Sequence, residues 1–184
     1  MIARAIAGGY APEHMFDGAV LGVDPGTAAV GLALVRGQAG RPSVEWARTF
    51  RTPPGMAGPE RLRLLYRGVR EAIETHGPAA LALERLIWGR NTESAMAVSR
   101  ASGVVILAAA EAGIPVEEYA PLEVKMAVTG VGNASKDAVR RGLTLLMGPA
   151  GIPTEPDAAD AVAIAVCHLH QWRLRRMARQ VVRA

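Results

Sequence analysis

Cysteine is nearly missing from this chain: Cys167 stands alone, so no internal disulfide can brace the fold. A reducing, cytoplasmic compartment suits that composition. Cys167 itself lies in an apolar helical stretch and reads as a small core residue. Long hydrophobic runs are missing too. None is longer than Val104 to Ala110, far short of the roughly 18 uninterrupted apolar residues of a membrane span. Residues 1–17 contain Arg4 but no apolar h-region after it, which argues against a secretory signal. They read as a flexible N-terminal extension or an early start codon. Internal repeats and low-complexity tracts are absent. Acidic residues stop at Asp160; beyond it the chain carries Arg173, Arg175, Arg176, Arg179 and Arg183, a basic tail over 173–184.

The composition that remains is that of a folded domain. Of 184 residues, 50% are apolar and 21% charged, enough for one real core. One domain over residues 18–172 is expected. The net charge is +4 and the pI about 9.8. The basic C-terminus suits a polyanion such as nucleic acid. It equally suits a solvated helix end, where cations are favoured.

Strand and helix signals alternate in a legible order. Residues 18–24 form an apolar run ending at Asp24, and Pro25-Gly26-Thr27 turns the chain. Residues 28–36 and Ser43 to Phe50 read as two further strands, the first returning antiparallel. Leu62, Leu65, Tyr66, Val69 and Ile73 then fall on one face of a helix over 59–76, stopped by Gly77-Pro78. Residues 79–84 are almost wholly apolar, as in a central strand covered on both faces. A helix from Asn91 or Thr92 to about Ala112 follows, then a short strand at Pro115 to Tyr119 and a short helix at 121–129. Ser135 is placed to cap a helix reaching Met147. Thr154 is placed to cap a last helix running from about Glu155 to Arg179, with Pro156 in its first turn. A meander followed by βα units implies an α/β fold, a mixed sheet with helices on its faces.

Against that layout four acids stand out. Asp24 and Glu84 each end an apolar strand; Asp157 and Asp160 lie three apart at the start of the apolar stretch Ala158 to Leu169. Carboxylates are seldom buried unless paired or bound to a cation, and no run of lysines accompanies them. Ligands of open α/β sheets collect at the C-terminal ends of strands. If the first and fourth strands are neighbours, Asp24 and Glu84 share one crevice, and one helix face delivers Asp157 and Asp160 to it. Four carboxylates so close repel and would take up protons unless divalent cations intervened. All-oxygen donors favour Mg²⁺ or Mn²⁺ over Zn²⁺. Two ions about 4 Å apart are the usual clamp for in-line attack on a phosphodiester. His168 lies too far along the helix to join them. Singly, each acid has a bland reading: a turn aspartate, a surface glutamate, a carboxylate on a helix dipole.

The ordered motifs resemble the RuvC family of Holliday junction resolvases. The matching stretches are Leu21-Gly-Val-Asp-Pro-Gly-Thr27; Leu83-Glu84 with Asn91, Ser94 and Ala95; Arg100-Ala-Ser-Gly103; and Tyr119-Ala120 with Val124-Lys125. Val128-Thr-Gly-Val-Gly132, Lys136, and Asp157-Ala-Ala-Asp-Ala161 through Ala165 and His168 complete them. The resemblance spans about residues 19–172. It implies an RNase H-like fold, a five-stranded mixed sheet flanked by helices. It also implies a homodimer that places paired symmetric nicks across a four-way DNA junction in recombination and repair, leaving 5′-phosphate and 3′-hydroxyl ends. Asp24, Glu84, Asp157 and Asp160 take the catalytic and metal-binding positions, with Mg²⁺, two per site, as cofactor and Mn²⁺ as a substitute. Lys125 and Lys136 match lysines near the scissile phosphate. The RuvA–RuvB branch-migration complex is the implied protein partner.

Two departures accompany the resemblance. A phenylalanine often stands three residues after the family's glutamate and stacks on unpaired junction bases. Here Ile87 holds that position and Trp88 follows, which leaves Ile87 as an apolar wedge or Trp88 as the stacking ring, with Arg90 and Asn91 beside them for DNA contact. The extension before residue 18 matches no motif. Other classes remain in view: another RNase H-like nuclease acting on RNA–DNA hybrids, a non-catalytic junction-binding protein, and a fragment of an actin-like ATPase. The last lacks a second nucleotide domain and further glycine-rich loops.

Overall fold

The computed structural model describes residues 18–26, 28–38, 41–86 and 92–183. Strands β1 (Val20–Pro25), β2 (Ala29–Gln38), β3 (Arg41–Arg51), β4 (Ala80–Glu84) and β5 (Val116–Tyr119) form one sheet in the order β3-β2-β1-β4-β5. β1–β2 and β2–β3 pair antiparallel, whereas β1–β4 and β4–β5 pair parallel. The expected neighbours, the first and fourth strands, are therefore in contact, and the sheet is mixed.

Helices cover both faces because the strands are apolar on both. On one face, helices α1 (Gly58–His76) and α2 (Thr92–Glu111) bury Leu65, Val69, Ala101 and Val105 against Leu21, Val23, Leu32 and Leu83. On the other lie α3 (Pro121–Thr129), α4 (Lys136–Met147) and α5 (Pro156–Arg183). There Val162, Ile164 and Val166 of α5 are fully buried. Each such side chain contributes on the order of 1.5–3 kcal/mol of transfer free energy. Cys167 is likewise buried and free. α2 is long and apolar enough to cross a membrane by length and composition alone; here its buried residues, about a third of it, pack on the sheet.

α5 approaches the sheet unusually closely, and glycine is why. A Cβ on Gly22 would lie 2.1 Å from the Ala161 carbonyl oxygen, and one on Gly31 would lie 1.9 Å from that of Asp157. These two positions let the helix backbone rest on β1 and β2. Farther along, the Tyr119 hydroxyl and His168 Nδ1 share a buried hydrogen bond of 3.0 Å, and the Trp172 ring stacks on His168. That contact ties α5 to β5 and gives His168 a structural partner.

Two expectations about α5 need correction. The Glu155 carbonyl accepts the first helical bond, from Ala159 N–H at 3.0 Å, so the cap falls at Glu155 and not Thr154. Glutamate is a poor cap, but its carboxylate is used elsewhere: Oε2 accepts from the Thr49 backbone N–H of β3 at 3.3 Å. The helix also continues to Arg183, past Arg179, since no glycine or proline interrupts it. Ser135 does cap α4, its hydroxyl accepting from Ala138 N–H at 3.2 Å.

Candidate active site

The site is assembled from two strand ends and one helix start. Val23 of β1 pairs with Leu83 of β4, so the next residues, Asp24 and Glu84, lie side by side at the C-terminal ends of the two strands. Asp24 pairs with Gly31 of β2, the residue on which the Asp157 backbone rests. The same missing side chain that lets α5 settle thus places Asp157 and Asp160 over Asp24.

The electrostatics record the crowding. Asp24 is pushed up to about 7, first by burial, then by the charges of Asp160, Glu84 and Asp157. Glu84 is raised above the ordinary carboxylate range by burial and by Asp160, with Lys136 and Lys125 opposing. Cations hold the two helix acids. Lys136 Nζ donates to Asp160 Oδ2 at 3.0 Å, which holds the lysine above its ordinary pKa. Arg51 Nη2 lies 3.5 Å from Asp157 Oδ2. Among the described residues no three acidic, histidine or cysteine side chains converge as a metal's ligands would. With Asp157 drawn to Arg51 and Asp160 to Lys136, a shared ion requires those carboxylates to turn inward. The donor set still fits a hard divalent cation: all oxygen, partly buried, and carrying more negative charge than its neighbours neutralise.

Of the residues singled out in the sequence, the structure brings together Asp24, Glu84, Asp157, Asp160, Lys125 and Lys136. Ile87, Trp88, Arg90 and Asn91 lie outside the described residues. Arg51 was not anticipated. A lone arginine at a strand end reads as a solvated cation, and only the β2–β3 register, pairing Arg51 with Ala29, turns it toward α5. Arg140 is a second addition: it lines a cavity of about 200 Å³ with Lys136 and Asp160, between α4 and the start of α5. A separate apolar cavity of about 340 Å³, lined by Val30, Leu62, Leu65 and Ala101, opens on the opposite face of the sheet from the acids.

A family model described as Crossover junction endodeoxyribonuclease RuvC matches residues 20–168. The chain belongs to the RuvC family. A RuvC from Moorella thermoacetica is 46% identical over 158 residues, spanning 85% of this chain and 95% of its own. One from Syntrophomonas wolfei is 43% identical over 155 residues, spanning 84% and 90%. The structure of T. thermophilus RuvC in complex with Holliday junction substrate superimposes with a TM-score of 0.80 at 34% identity, covering 85% of this chain and 96% of that one. A yeast mitochondrial Holliday junction resolvase shares the fold alone, with a TM-score of 0.65 at 13% identity over 91% of this chain and 84% of its own. The RNase H-like fold and the enzyme class, a crossover junction endodeoxyribonuclease, are as expected.

Proposed function

We propose that this chain resolves four-way DNA junctions by paired symmetric nicks in recombination and repair, hydrolysing phosphodiesters with a divalent metal to leave 5′-phosphate and 3′-hydroxyl ends. The observation that carries the reading is the cluster of Asp24, Glu84, Asp157 and Asp160 at the sheet's C-terminal edge, flanked by Lys136 and Arg51. Family membership and the junction-bound relative support the substrate.

The acids of both strands and the helix would hold Mg²⁺, with Mn²⁺ as a substitute; when bound, such an ion supplies charge neutralisation and activation of the attacking water. The protein's own groups do the rest. Asp24 and Glu84 are fixed by strand pairing, so their carboxylates need little reorganisation. Lys136 and Lys125 place positive charge on the α3–α4 flank, where a phosphate oxygen would lie. Ile87, Trp88, Arg90 and Asn91 follow Glu84 closely in sequence and are proposed to contact the junction.

Two symmetric cuts need two sites, and α2 supports a homodimer. Met96 and Leu107 are about half exposed, and among the described residues nothing lies within 4 Å of the Gly103 Cβ position between them. At helical spacing these three form one apolar, close-packing stripe on the face turned from the sheet. Family membership supports work on DNA, and with it the reading of a cytoplasmic enzyme acting alongside the RuvA–RuvB branch-migration complex.

The test compares a synthetic four-way junction, a linear duplex and an RNA–DNA hybrid, each with Mg²⁺, with Mn²⁺ and with excess chelator. Paired nicks on the junction alone, stopped by chelator, are expected. Equal cutting of the hybrid, or activity that survives the chelator, contradicts the reading.

A further inference from the structure

We propose that Arg51 is a phosphate-positioning residue of this site: it rests on Asp157 while the acids are unshielded and transfers to a backbone phosphate of the cut strand once a divalent cation takes that carboxylate. The inference rests on the metal-dependent nuclease reading and adds to it a residue no motif picked out.

Register sets the geometry. Asp24 pairs with Gly31, and Gly31 with Thr49, so the three lie in one row across the sheet. Thr49 donates its backbone N–H to Glu155, just before α5. Arg51, two residues on, points to the same face as Thr49, and its guanidinium reaches Asp157. Arg51 and Lys136 thus each hold one of the two helix acids, Arg51 from the edge strand β3 and Lys136 from the start of α4. A DNA strand lying across the acids would pass within reach of both cations.

Charge and exposure argue that the contact is exchangeable. The Arg51 side chain is 62% exposed and Asp157 33% exposed, and the pair is a single contact of 3.5 Å. Such an ion pair is weak in water. A divalent cation at the same carboxylate displaces it, and an arginine so released faces a phosphate that its planar fork can grip at two oxygens. Among the described residues, no cation forms a salt bridge with Asp24 or Glu84; the two helix acids each have one.

Two readouts separate this role from a structural brace: Mn²⁺ binding to the DNA-free protein by calorimetry, and single-turnover junction cleavage at saturating metal. Wild type is compared with Arg51→Gln, Arg51→Lys and an exposed control on α1, Arg67→Gln, after matching thermal melts. Arg51→Gln is expected to bind Mn²⁺ about 1.5- to 5-fold more tightly, the loss of one exposed competing ion pair. It should nevertheless cleave at least about tenfold more slowly, since a phosphate contact is gone. Arg51→Lys should recover much of the rate, and Arg67→Gln should match wild type. If Arg51→Gln is unchanged in both readouts, or loses metal affinity together with cleavage, the proposal falls. Tighter metal binding with unchanged cleavage also overturns the phosphate role. Failure of the underlying nuclease reading is distinguishable, because wild type would then neither bind Mn²⁺ nor cut the junction.

Discussion

At the scale of single residues, burial and like charge make Asp24 unlike an ordinary aspartate. Its pKa is raised from 3.8 to about 7, so between those values the folded chain holds a proton that the unfolded chain has released. Stability from that proton is present at low pH and lost as pH rises toward 7. In chelator, Asp24→Asn removes the cost of the ionised form. Its melting temperature should exceed that of wild type at pH 8, and the gap should shrink as pH falls from about 7 toward 4. A gap independent of pH would contradict the burial and crowding described here. Lys136 gives a different test, because its side chain is exposed and its proposed role is charge. Lys136→Ala should lower the magnitude of the salt slope of junction binding by about 1, as for one lost phosphate contact. An unchanged slope in a salt titration would remove Lys136 from the DNA contact.

At the scale of elements, the close seating of α5 on β1 and β2 sets where Asp157 and Asp160 stand. Gly31→Ala places a methyl within 1.9 Å of the Asp157 carbonyl oxygen, which is backbone and cannot swing away. The helix start must shift, at a cost of about 1–3 kcal/mol. Thermal melts should show a loss of several degrees, and junction cleavage should fall more than tenfold as the helix acids move off the strand acids. Gly58→Ala, with nothing among the described residues near its added methyl, should do neither. Much of this layout was legible from sequence. Apolar runs punctuated by glycine and proline gave the strands, and Asp24 and Glu84 were visible as acids closing such runs. The start and end of α5 were not, because Glu155 is an unfavoured cap and nothing after Pro156 breaks the helix. Arg51 was hidden for another reason: its meaning depends on strand register, which a lone arginine does not reveal.

At the scale of the whole molecule, the proposed function divides two tasks between the two faces of the sheet. α5 brings its acids to Asp24 and Glu84, while α2, on the other face, exposes the stripe of Met96, Gly103 and Leu107. Paired nicks require the second task as much as the first. On the proposed homodimer, wild type should sediment as a dimer and Leu107→Glu as a monomer at the same concentration, and the monomer should lose coordinated cutting of both strands. A variant that stays dimeric would move the interface elsewhere. The central claim, that the gathered acids cut the phosphodiester while other groups hold the junction, has a direct test in Glu84→Gln. Binding and single-turnover cleavage of one synthetic four-way junction are measured on the same samples with Mg²⁺. Binding within about twofold of wild type and cleavage reduced by roughly a thousandfold are predicted; cleavage near the wild-type rate would contradict the account.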